Sequence, residues 1–187
     1  MSRRHRLILL VAYPALATLF LGAPAAHAAE VTASGSVTGS VLSASTSATP
    51  SFSASLDSGD TNETYTIPMT IQDTRGTGAG WNATITSTTF STGGGSPRLL
   101  STTASSLTGV TSSCASGTCT NPSNAQTYPF TVPAGTVAPT AVKFFNTTAN
   151  NGMGIFTVTP TIAVTVPQNA YAGTYSSTVT LSVVSGP

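Results

Sequence analysis

Both histidines of the 187-residue chain, His5 and His27, precede Ala29, so residues 29–187 hold no imidazole to act as general base or metal ligand. That argues against hydrolysis by a Ser-His or Cys-His triad. Oxygen ligands gather in one place, Asp57, Asp60, Asn62 and Glu63, and a calcium ion would take such groups. Their spacing is not that of an EF-hand. A solvated turn with Asx hydrogen bonds accounts for the same residues, so calcium on Asp57, Asp60 and Glu63 is the lesser reading and no cofactor is expected. Paired-carboxylate glycosidase chemistry would need carboxylates on two facing elements and aromatic walls, which one clustered loop and a single tryptophan do not supply. Cys114 and Cys119 are the only cysteines. Their C-x-x-x-x-C spacing is not the redox C-x-x-C, and zinc would lack its other ligands, so in an exported chain they are expected to form a disulfide.

The remaining candidates sit together in Asp73-Thr-Arg-Gly-Thr-Gly-Ala-Gly80-Trp81. Three glycines at alternate positions permit backbone conformations closed to other residues. They do not form a dinucleotide fingerprint, because the spacing is wrong and a strand follows instead of a helix N-terminus. Asp73 and Arg75 read as an ion pair bracing the loop. Trp81 has two readings: a ring packed in or over the end of the core, or a partly exposed face that stacks on a sugar or a partner chain.

The elements that hold these residues begin after a leader. Met1-Ser-Arg-Arg-His-Arg6, an apolar run over residues 7–21 and Ala26-His-Ala28 make the basic head, hydrophobic centre and small-residue cleavage site of a signal peptide over residues 1–28. Residues 29–187 then form one domain. Its charges are Arg75, Arg98 and Lys143 against Glu30, Asp57, Asp60, Glu63 and Asp73, near minus two, which argues against nucleic acid as a partner. No later apolar run is long enough to span a bilayer, and neither a lipid-anchor cysteine nor a sorting tail is read, so surface attachment is expected to be non-covalent.

Alternation dominates that domain. Tyr65, Ile67, Met69 and Ile71 share one parity before the glycine loop, and Trp81, Ala83 and Ile85 after it, the simplest reading being two strands joined by that loop. Phe90 is out of phase with the second run, which requires a bulge or strand end near Thr88. Val37 and Val41 suggest a first strand, and Phe52, Ala54 and Leu56 a second. Residues 114–122 read as a loop. Further period-two runs carry Tyr128, Phe130 and Val132; Val142 and Phe144; Phe156 to Val166; and Tyr175 to Val183. Pro68, Pro129 and Pro160 fall inside runs and are expected at an edge, an outward ladder position or a bulge. The expected fold class is all-β, a single antiparallel β-sandwich, Ig-like, of about seven to ten short strands.

The Asp73-Thr-Arg-Gly76 loop with Gly80 and Trp81, followed by a Thr-rich strand and a final Ala172-Gly-Thr-Tyr175 leading into the last strand, resembles the WxL domain of bacterial surface proteins. The first motif's leucine position holds Ala83, and the second motif's Trp and Leu fall at Leu181 and Val183. The resemblance implies an all-β domain at the cell surface, held non-covalently to peptidoglycan, with Asp73, Arg75, Gly76, Gly80, Trp81 and Tyr175 as motif and candidate binding residues, and no catalysis. The alternative is a structural or adhesin-type subunit that docks on another cell-surface protein by edge-strand contacts.

Overall fold

A computed structural model describes residues 32–57 and 59–187; the expected signal peptide lies outside them. The chain divides into a unit ending at Ser36, of which the described residues 32–36 carry no strand, and a unit spanning Val37–Pro187. Among its described residues the latter is a two-sheet β-sandwich of ten strands: β1 (Leu42–Ser45), β2 (Thr61–Thr66), β3 (Met69–Asp73), β4 (Trp81–Thr88), β5 (Ser105–Ser116), β6 (Phe130–Thr131), β7 (Ala134–Gly135), β8 (Val142–Thr147), β9 (Gly154–Val166) and β10 (Val179–Ser185). Among the described residues there is no helix long and apolar enough to cross a membrane.

The first sheet runs β1-β3-β9-β5-β6, with β2 also on β9; the second runs β10-β4-β7, with β8 also on β4. Every pairing is antiparallel except the two-residue β4–β7 contact. Ile71, Trp81, Ile85, Leu107, Phe144, Phe156, Val158 and Ile162 are fully buried between the sheets, which is what period-two alternation on two facing layers dictates.

The glycine loop does not close a hairpin. β3 belongs to the first sheet and β4 to the second, so residues 74–80 carry the chain from one layer to the other. The apolar run before the loop is also two strands: Pro68 ends β2, and β9 passes from β3 (Val158↔Met69) to β2 (Ile162↔Tyr65). Pro160 lies at that handover, inside the central 13-residue strand and away from any edge. It is tolerated because its carbonyl meets Ile67 N–H at the β2–β3 join, where no regular ladder asks it for a donor, and the register with β5 is broken nearby, between Leu107 and Gly109.

Three other expectations are corrected. The first strand faces inward through Leu42 and Ala44, while Val37 and Val41 are exposed; pairing with β3, Leu42↔Asp73 and Ala44↔Ile71, sets that parity. Residues 51–56 form no strand, although Phe52 and Leu56 pack on the core. Cys114 is not in a loop: β5 continues through it on the β9 ladder, Cys114↔Phe156, and only then bulges. β4 ends at Thr88, which releases Phe90 from its phase.

Candidate functional site

Asp73 closes β3 between β1 and β9 and is buried, so its carboxylate needs a partner. Arg75 supplies a bidentate one, Nε to Oδ1 and Nη2 to Oδ2, both at 2.9 Å. The same guanidinium reaches Gly80 O at 2.8 Å and Ser185 Oγ on β10. One arginine thus ties the end of the first sheet, the crossover loop and the last strand. Hydrogen bonding to Asp73 raises the guanidinium above its already high range. Gly76, Gly78 and Gly80 all have positive φ; at Gly80 a Cβ would stand 2.6 Å from Thr147 O, so the crossover can pass β8 only as glycine.

Trp81, the first residue of β4, is fully buried, which removes the reading in which its ring stacks on a ligand. The ring centroid lies 5.8 Å from Phe145 of its own sheet and 6.5 Å from Phe156 of the other. Its indole N–H donates to Gly152 O at 2.8 Å, and Gly152 leaves no room for a side chain beside Nε1. Trp81 therefore pins the β8–β9 turn to the sandwich.

The two motif stretches are cross-strand neighbours. Val183 pairs with Ala83, Leu181 with Ile85 and Ser185 with Trp81, with Leu181 and Val183 packed against the core. Asp73, Arg75, Gly76, Gly80 and Trp81 are brought together. Tyr175 is not: it precedes β10, whose seven residues put it roughly 20 Å from the Ser185 end at about 3.3 Å per residue. The Cys114–Cys119 disulfide is formed and ties the end of β5 to the following turn. The acidic residues disperse: Asp60 Oδ1 accepts Gln168 N–H at 2.8 Å, and Asn62 Oδ1 accepts Thr165 O–H. Among the described residues no three Asp, Glu, His or Cys side chains form a metal-holding group.

The open surface lies elsewhere. β1 stops at Ser45 opposite Thr70, so it never reaches β2, and β2 and β10 leave a cleft of about 970 Å³ between the sheets. Residues 46–56 form one bank and residues 170–181 the other. Phe52 stacks on Tyr65 with centroids 6.1 Å apart and meets Phe90 edge-on at 5.5 Å. On the rim Tyr175 O–H donates to Tyr171 O at 3.0 Å, and Arg98 lies over one face of the Tyr171 ring, 3.9 Å from its centroid. Sequence reasoning missed Phe52, Tyr65 and Tyr171 as a group because they come from separate segments that only the packing around the cleft brings together.

The described residues thus form a disulfide-stapled β-sandwich whose Asp73–Arg75 pair is spent on bracing a crossover loop. Residues 32–187 match the family model described as WxL domain surface cell wall-binding, and the chain belongs to that family. No curated protein and no solved structure matches it. Family membership makes it a cell-wall-binding surface protein.

Proposed function

We propose that the protein is an exported, non-catalytic surface protein that holds to peptidoglycan non-covalently, with residues 1–28 removed on export. The observation that carries this is the wall-binding family match over residues 32–187. The absence of any histidine from residues 29–187 and the commitment of Asp73 and Arg75 to each other support a role without catalysis. The test is co-sedimentation of the purified domain with protein-free peptidoglycan sacculi, in which at least half of the domain should pellet at micromolar concentration. A domain that stays in the supernatant at every sacculus load refutes the proposal.

One observation favours a second reading, a structural or adhesin-type subunit. β6 covers β5 only at Ser106 and Leu107, so beyond Gly109 the outer edge of β5 has no strand partner among the described residues. Such an edge can take a strand from another surface protein. Pairing there would survive removal of the wall and would be blocked by Ser112→Pro.

A further inference from the structure

The cleft between β2 and β10 has a lining unlike the rest of the surface. Its floor is Tyr65, Ile67, Phe90 and Val166, and its walls carry Phe52 and Tyr171. Among the described residues lining it none is charged, while eight are serine or threonine. Of those hydroxyls, Thr46 and Ser177 donate to backbone carbonyls of Pro68 and Thr88, and Thr180 lies on the exposed face of β10 between the core-packed Val179 and Leu181. Tyr65 is 9% exposed, and among the described residues its phenol has no hydrogen-bond partner. The Tyr65 hydroxyl is not among the buried unpartnered groups of the described residues, so it opens on the cleft, where a polar group of a ligand can reach it.

These features select among ligand classes. An ionic ligand finds no counter-charge in the lining, and a lipid chain would leave the hydroxyl rim and the Tyr65 phenol unpaired. A saccharide matches both parts: its C–H faces lie on aromatic rings, and its equatorial hydroxyls meet serine and threonine. Arg98 holds one face of Tyr171, and the residue remains 59% exposed, so the ring stands as a fixed platform at the entrance. The volume is at the upper end of small-ligand sites, enough for about two to three sugar rings.

We infer that this cleft is a glycan subsite that takes a β-linked N-acetylhexosamine chain, with Tyr171 stacking on a sugar ring, the Tyr65 hydroxyl bonding a polar group of the ligand and an acetamido methyl resting on the apolar floor. The class of sugar rests on the wall-binding reading; the site itself rests on the cleft. The braced crossover loop, at the other end of β10, is then an internal support and not the contact surface.

The experiment titrates the folded domain with a β-1,4-linked tetramer of N-acetylglucosamine, with the matching glucose tetramer as control, and pellets the same proteins with sacculi. Wild type should bind the acetylated tetramer and not the glucose one. Tyr171→Ala should weaken binding about tenfold or more, and Tyr65→Phe about threefold to tenfold, with both melting temperatures near wild type. If wild type pellets with sacculi but the tetramer does not bind, or both variants bind it as wild type does, the cleft assignment is overturned while wall binding stands. If the tetramer binds in the cleft but nothing pellets, the cleft stands and the peptidoglycan reading falls. A concentration-dependent dimer that Tyr171→Ala dissolves would mean that a second copy fills the cleft, and would overturn the glycan assignment.

Discussion

At the scale of single residues, two aromatic side chains with opposite surroundings give opposite predictions. Trp81 is wholly enclosed and its N–H is satisfied by Gly152 O. Trp81→Ala should cost about 3–5 kcal/mol, and Trp81→Phe, which strands the Gly152 carbonyl, about 1–3 kcal/mol. Urea unfolding measures both. Any loss of wall binding in these variants should follow the unfolded fraction, since the ring touches no solvent; a folded Trp81→Phe that no longer binds would contradict that. Tyr65 has a bonding group without a protein partner, and burial pushes its phenol up to about 12. Because the folded state holds the proton more tightly, its stabilising effect is complete below the unfolded pKa of about 10 and is lost as pH rises from about 10 to about 12, by roughly 2–3 kcal/mol. Tyr65→Phe should flatten the fall in melting temperature over that window, and an unchanged slope would show that the phenol is not the titrating group.

At the scale of elements, the disulfide is a local staple. The ring closed by Cys114 and Cys119 is short, so serine at both positions should lower stability by roughly 2 kcal/mol, read as a shift in urea midpoint. Because only the end of β5 is released, amide exchange should rise over residues 113–120 and stay unchanged in β4; protection lost throughout would mean that the staple holds the sandwich together. The elements also divide what the sequence could tell from what it could not. β9 and the start of β4 were legible because apolar residues keep period two, Phe156, Val158, Ile162 and Val164 in the one and Trp81, Ala83 and Ile85 in the other, whereas β3 was read as one run with β2 because the alternation carries on from Tyr65 to Ile71 across Pro68. β1 was misread in phase because its face is set by pairing with Asp73 and Ile71 and its own side chains are small. Phe52 to Leu56 alternates as a strand would, yet lies along a cleft with no ladder to join. Asp73, Arg75 and Trp81 were legible as one cluster; that the cluster is a crossover brace depends on which sheet each strand enters, and local sequence does not carry that information. The cleft was invisible for a related reason, since it exists only where β1 stops short of β2.

At the scale of the whole molecule, charge decides how a wall could be held. Residues 29–187 carry three cations, and Arg75 is consumed by Asp73, which leaves Arg98 and Lys143 to meet an anionic wall polymer. Arg98 is itself seated on the Tyr171 ring. Two dispersed cations on a domain of net negative charge cannot supply the attraction that a polybasic surface would, and they would be screened within about 3 Å at 1 M salt. On the proposed reading, attachment comes from stacking and neutral hydrogen bonds, which salt scarcely weakens. The fraction of domain pelleted with sacculi should therefore change by less than about twofold between about 0.05 and about 1 M sodium chloride, and should fall when a chaotrope weakens apolar contact. A tenfold loss of binding across the same salt range, repeated in Tyr171→Ala and abolished in Arg98→Gln, would mean that the guanidinium grips an anionic wall polymer and that the aromatic ring only positions it.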